Sequence, residues 1–199
     1  MPVMQLDGRL SFVRISLSAS EMPELLERHR SEYPGAEVVE LCARRLIAAK
    51  FPPVHATAFI EGVCEWGGGN RNFSRIRKAG DATIARSLKS AAEAINADDV
   101  VWAIEELQHL PHLGLSFASK VARFLAPDKC VVLDSVIRTR IGYVESQEGY
   151  SEFLQDCFQL LEQLRTSQDL DASLRDGLRV CDVEAAVFIK ARDQKNVSS

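Results

Sequence analysis

The 199-residue chain is predicted to be an all-α protein, on three observations. Apolar residues recur at spacings of three and four along most of its length. Helix breakers punctuate those stripes at Pro34-Gly35, Pro52-Pro53, Gly67-Gly68-Gly69 and Pro127. A single stretch, Phe12-Val13-Arg14-Ile15-Ser16-Leu17, alternates as a strand does, and it is expected to form at most a short N-terminal strand or arm. With 46% hydrophobic residues the chain can bury a real core, as one domain or two small lobes.

In chain order, Ser20 is expected to cap a helix through His29. Val38, Val39, Cys42, Leu46 and Ala49 form one helical stripe that ends before Pro52-Pro53. The next helix runs from about Val54 toward Trp66, where three glycines stop it. Further helices fit 72–78, 82–95 and 98–108, the last with Asp98-Asp99 as its start signal and Val100, Trp102, Ala103, Ile104 and Leu107 following. Leu115, Ala118, Val121, Ala122 and Leu125 define a helix over 115–125, broken by Pro127. Val131-Val132-Leu133 then delivers one carboxylate, Asp134. Helices over 135–142, 148–166 and 180–192 complete the chain, with a frayed tail after Arg192 and no repeat or long linker.

The net charge of −4 does not advertise a nucleic-acid binder, but its distribution is uneven. Arg71, Arg75, Arg77, Lys78, Arg86 and Lys89 face only Asp81 between residues 70 and 90. Lys120, Arg123, Lys129, Arg138 and Arg140 face Asp128 and Asp134 between 116 and 142. A basic middle attracts phosphates locally despite an acidic total, although solvated helix faces carry similar runs. The five cysteines are odd in number and lack any Cys-x-x-Cys, which points to reduced thiols, mostly core filler, in a cytoplasmic protein. No His/Cys grouping has zinc spacing, so neither metal nor cofactor is expected. No signal peptide or apolar run of spanning length is visible, so no membrane partner is expected, and a monomer is.

The stretch Leu110-Pro111-His112-Leu113-Gly114 is a tight turn that opens the helix beginning at Leu115. Such a helix start carries free backbone N–H groups, which suit a phosphate. Asp134 follows Gly114 by twenty residues, placed to stand beside whatever that phosphate carries. The plainer reading is a surface helix–turn–helix corner with a solvated Asp.

This stretch resembles the helix–hairpin–helix DNA glycosylase superfamily, and is closest to its 8-oxoguanine DNA glycosylase-like branch. The family hairpin is Leu-Pro-Gly-(Val/Ile)-Gly, with an Asp twenty residues after the second Gly; His112 stands where the first Gly is usual. The resemblance implies a single two-lobed helical domain over 1–199. Lobe 1 is formed by about 1–50 and 143–199; lobe 2, a helical barrel with the hairpin, by about 51–142; DNA lies across the cleft. The clustered four-cysteine iron–sulfur loop of some members is excluded by the cysteine spacing.

Two further segments extend the resemblance. Asn70-Arg71-Asn72-Phe73-Ser74-Arg75-Ile76 follows the three glycines. On its own Asn70 is an ordinary N-cap. The segment is similar to the Asn-Asn-Asn-x-x-Arg-Ile loop of the 8-oxoguanine glycosylases, which implies that Asn70 fills the gap left by a flipped nucleotide and Arg75 contacts the orphaned base, with Arg71 replacing the middle Asn. Glu184 and Phe188 share one helix face. Taken alone, Phe188 is core and Glu184 solvated; the resemblance implies a base pocket in which Glu184 reads the base edge and Phe188 stacks, where Gln is the commoner reader.

The implied activity is an N-glycosylase that flips a modified base out of double-stranded DNA and hydrolyses its glycosidic bond, leaving an abasic site. Asp134 is the implied catalytic carboxylate, stabilising a sugar with oxocarbenium character. Ser116 occupies the position of the Lys that lyase-capable members use as a Schiff-base nucleophile, and Lys120 lies one turn further on. Either the enzyme is monofunctional, or Lys120 supplies the amine; a phosphate or solvent contact is the plain alternative for Lys120. His112, Leu113, Gly114, Ser116 and Lys120 are the expected DNA grip of the hairpin, with Asn70, Arg71 and Arg75. An oxidised purine, as in DNA repair, and a phage-type hypermodified pyrimidine, as in anti-phage defence, are both open as substrates. A non-catalytic helix–hairpin–helix DNA-binding module is the alternative to an enzyme, and a helical bundle with an accidental motif the third reading.

Overall fold

A computed structural model describes the backbone of residues 4–6, 9–12 and 15–194, and side chains from residue 15 to 194. Val13 and Arg14 of the expected strand, and the expected tail beyond residue 194, lie outside the described residues. The chain is helical as predicted and divides into two compact units, Met1–Glu32 with Leu133–Ser199 and Tyr33–Val132.

In the first unit the N-terminal segment is more than the single strand expected. Strands β1 (Met4–Leu6), β2 (Arg9–Phe12) and β3 (Ile15–Leu17) form an antiparallel meander in the order β1-β2-β3. Helix α1 spans Met22–Glu32 after a 3-10 turn over Ala19–Glu21. Ser18, not Ser20, begins that turn, and Glu21 Oε2 accepts from the Ser18 N–H at 2.7 Å. The helix that completes this core, α11 (Val180–Asp193), packs against α1 and β3. It is buried on almost every side, through Val180, Cys181, Val183, Ala185, Ala186, Val187 and Ile189, the pattern of a central core helix. Against it also lie α8 (Ser135–Ile141) and the long α9 (Gln147–Thr166), the latter capped by Ser146 Oγ accepting from Gly149 N–H at 3.1 Å. The remaining helix, α10 (Ala172–Gly177), was not foreseen: its six residues bury nothing and show no apolar period, and Asp171 starts it by accepting from Ser173 N–H.

The second unit is built from α2 (Ala36–Ala48), α3 (Pro53–Trp66), α4 (Asn70–Ile76), α5 (Asp81–Asn96), α6 (Val100–Gln108) and α7 (Leu115–Leu125). Pro53 takes the first helical position of α3, where its missing N–H costs nothing. α4 starts two residues earlier than predicted and tightens to a 3-10 turn over Arg77–Ala79. α3 and α5 form the middle of the unit, with α6 packed on α5 and α7 touching α2, α3 and α6. The expected lobes divide at about 50/51 and 142/143; the compact units divide at Glu32/Tyr33 and Val132/Leu133. α2 belongs with α3 and α7 because it packs on them, and α8 belongs with α11 for the same reason.

Candidate active site

The hairpin joins α6 to α7. Asp99 caps α6 by accepting from the Trp102 N–H at 3.1 Å. Leu110 and Leu113, each 2% exposed, pin the turn to the core, and Leu113 N–H donates to the Leu110 carbonyl at 3.1 Å. Between them His112 adopts φ +65°, the left-handed region that a glycine occupies most readily and a histidine tolerates better than most residues. The substitution therefore keeps the backbone conformation that Gly accommodates. Gly114 is extended and exposed, with open space where a Cβ would stand, and its carbonyl accepts from Phe117 and Ala118 as α7 begins. Ahead of those bonds, the N–H groups of Leu115 and Ser116 have no preceding helical carbonyl, as at any helix start.

Lys120 lies one turn along α7 and is only 8% exposed. Its Nζ donates to Ser116 Oγ at 3.1 Å and stands 5.1 Å from the Phe117 ring centroid. The two positions that sequence reasoning left as rivals for one role are thus hydrogen-bonded to each other. Gly67 and Gly69 pack directly against this face of α7, onto Lys120 and Phe117. Gly69, not Asn70, holds the cap position of α4; Asn70, Arg71 and Arg75 are exposed on that helix. The capping reading of Asn70 is corrected accordingly.

Part of the basic middle is paired with carboxylates of the protein itself, one pair buried and two at the surface. Arg123 is 5% exposed and pairs with Glu40 at 2.8 Å; Lys129 pairs with Asp98 at 2.5 Å and Arg138 with Glu145. The exposed cations of this unit outside those pairs include Arg71, Arg75, Arg77, Lys78 and Arg86, gathered on α4, the 3-10 turn and α5.

The first unit holds Asp134, Glu184 and Phe188. Asp134 is half-buried and caps α8, Oδ1 accepting from the Ile137 N–H at 3.0 Å. This fixes the carboxylate and directs only one oxygen to the helix. Glu184 is 5% exposed, which corrects the solvated reading; Phe188 is half-buried, its ring edge-on to His29 at 6.3 Å. Burial first, then the negative charges of Glu184 and Asp156, push the Cys157 thiol well above its ordinary value. Nearby, Tyr143 O–H donates to Asp156 at 2.5 Å, and burial together with that bond raises the phenol. α8 packs on α11, so the helix that Asp134 caps and the helix that carries Glu184 and Phe188 are neighbours.

Among the described residues the five cysteines are free thiols, four of them buried and Cys42 exposed. Among the same residues no group of three or more His, Cys, Asp or Glu is placed to hold a metal ion, and no helix is long and apolar enough to cross a membrane. Sequence reasoning missed Phe117 and the Arg123–Glu40 pair. Phe117 falls off the apolar stripe of α7, and a large aromatic ring off the core face was the available signal that a second surface covers it.

A helical protein with a left-handed hairpin turn, a helix opening behind it and a capping Asp twenty residues on has the architecture of the helix–hairpin–helix class. The family model described as "Putative 8-oxoguanine DNA glycosylase OGG-like protein" matches residues 23–188, and the chain belongs to that family. No curated protein and no solved structure matches the chain.

Proposed function

We propose that this protein is a monofunctional DNA glycosylase that takes a modified base out of double-stranded DNA and hydrolyses its N-glycosidic bond. The observation that carries the reading is the hairpin itself: His112 in the left-handed region, Gly114 opening α7 without a side chain, and Asp134 held as a cap twenty residues later. Family membership over residues 23–188 supports the same chemistry.

In this reading the hairpin residues His112, Leu113 and Gly114, with Ser116 and Lys120, grip the DNA backbone. Asn70 fills the space left by the flipped nucleotide, and Arg71 and Arg75 serve the strand opposite. Extruding a base costs a few kcal/mol, and polar groups at the gap offset part of that. Glu184 meets the base edge and Phe188 its face. Asp134 stabilises the oxocarbenium-like sugar and orients the attacking water. The C1′–N bond breaks, the base leaves with a proton, and water oxygen bonds C1′. A hydroxyl at Ser116 forms no Schiff base, and the Lys120 amine is engaged by that hydroxyl, which supports hydrolysis without strand cleavage.

An oxidised purine is the substrate that the family description favours; a hypermodified pyrimidine of phage type is the second candidate. The purified protein incubated with duplexes carrying each class of lesion, and with modified phage DNA, should release base and leave alkali-labile abasic sites on one of them. Tight DNA binding with no abasic site on any would instead identify a binding module.

A further inference from the structure

One aromatic ring closes the glycine segment against the hairpin helix. A Cβ placed on Gly69 would stand 2.1 Å from Phe117 Cζ and 2.5 Å from its Cε1. On Gly67 it would stand 3.1 Å from Phe117 Cε1 and 2.9 Å from Lys120 Cδ. The backbone does not ask for glycine at either position: φ is −83° at Gly67 and −109° at Gly69, ordinary values for any residue. Only Gly68, at φ +71°, needs glycine for its conformation. Gly69 is glycine because the Phe117 ring lies on it, and Gly67 because the Lys120 stem and the edge of that ring do. That ring also stands 5.1 Å from Lys120 Nζ and follows Ser116 directly in the first turn of α7. Gly69 in turn immediately precedes Asn70 at the start of α4.

We infer that Phe117 is a positioning residue that sets the start of α4, and with it Asn70 and Arg75, against the hairpin helix, and so determines which orphaned base the enzyme accepts. This deepens the glycosylase reading and rests on it. A well-aligned bidentate side chain discriminates between bases by about five- to 150-fold, and that discrimination falls when the helix carrying it shifts. Phosphate contacts carry no base information, so any change in them alters affinity for all four duplexes alike and leaves the spread untouched.

The test uses the full chain and duplexes with a tetrahydrofuran abasic analogue opposite each of the four bases. Wild type should bind the best and worst of them with affinities about tenfold or more apart. Phe117→Ala should narrow that spread to about threefold or less while mean affinity falls less than about threefold. Gly69→Ala should narrow it too, by pushing the ring away. The double variant should be no worse than Phe117→Ala alone, because with the ring gone the new methyl has nothing to displace. If Phe117→Ala fails to fold, Phe117→Leu is read in the same way. Equal weakening on all four duplexes with the spread intact, or a further, additive narrowing in the double variant, overturns the inference. So does a wild-type spread below about twofold. Base excision by wild type is measured in parallel: its presence beside a flat spread sinks the positioning role alone, and its absence on every lesion sinks the glycosylase reading.

Discussion

The Arg123 guanidinium and the Glu40 carboxylate meet at 2.8 Å with both side chains more than nine-tenths buried, joining α7 to α2. The guanidinium carbon also stands 4.4 Å from the Phe124 ring centroid and 6.0 Å from that of Trp66. An Arg in a basic segment thus holds the hairpin helix from behind.

Removing one partner leaves an uncompensated buried charge, so Glu40→Ala should destabilise the protein by about 3–5 kcal/mol. Replacing both, Glu40→Leu with Arg123→Met, should recover most of that loss, since apolar groups of similar volume often substitute for buried pairs without penalty. Denaturant titration of the three proteins measures this. Additive losses in the double variant would show that the pair is not the unit of stability.

Asp134→Asn should abolish base release and leave DNA affinity within about tenfold, or ~1.4 kcal/mol. Asn caps a helix as well as Asp does, so α8 stays in place and the change is confined to the charge. Asp134→Ala, by contrast, should also cost about 1 kcal/mol of stability through the lost cap. Undiminished excision by Asp134→Asn would remove Asp134 from the chemistry.

The contrast between Asp134 and Arg123 shows how far the sequence could be read. Asp134 was legible because its place depends on local signals: an apolar run, a helix start and a fixed distance from Gly114. The helices were legible because burial imposes their period, as in α11, where an apolar stripe extends nearly all round. Fates set by long-range partners were not legible. Arg123, Lys129 and Arg138 read as phosphate-binding cations until Glu40, Asp98 and Glu145 are seen beside them. Glu184 read as solvated because nothing in its own segment announces the packing of α8 and α9 over α11. The meander of β1 to β3 was likewise undercounted, since strands of three or four residues give a period of two little length in which to repeat.

DNA binding should weaken steeply with salt despite the net charge of −4. Arg71, Arg75, Arg77, Lys78 and Arg86 are exposed, and each cation that neutralises a phosphate adds about 0.9 to the log–log slope. Three such contacts would give a slope near −3, and Arg77→Gln with Lys78→Gln should flatten it by about 2 if both touch phosphate. A titration showing the wild-type slope near zero would rule out this face as the DNA grip.

The first unit should lose part of its stability on acidification. Arg28 donates to Asp193 at 2.6 Å, and Arg192 pairs with Glu32 and Asp193, so these four residues tie α1 to α11. The hydrogen bond from Arg192 holds the Glu32 carboxyl below its ordinary 4.5. At Asp193 partial burial works upward, but bonds from Arg28 and Arg192 outweigh it and hold the group below 3.8. Carboxyls lowered by folding stabilise above their unfolded values and lose that contribution as pH falls through the folded ones. The melting-temperature gap between wild type and Arg28→Met/Arg192→Met should therefore be full above about pH 5 and close as pH falls below the ordinary carboxylate range. A gap that widens on acidification would contradict the sign.

The last expectation concerns the Ser116–Lys120 pair. A monofunctional enzyme presents no amine to C1′, so borohydride should trap no covalent complex with a cleavable duplex. The product should be an intact abasic strand, nicked only by added alkali or heat. Lys120→Gln should then leave excision chemistry in place while loosening the packing around Phe117, because the Lys120 stem lies on Gly67 and its Nζ on Ser116. Ser116→Lys tests the hairpin from the other direction. It restores the residue usual in lyase-capable relatives and removes the hydroxyl that accepts from Lys120, so a trappable amine should appear if α7 is presented to DNA as proposed. The longer side chain should also weaken base binding to some degree. Trapping by wild type that disappears in Lys120→Gln would transfer the amine role to Lys120 and make the enzyme bifunctional. Trapping that persists in Lys120→Gln would exclude both residues as its source.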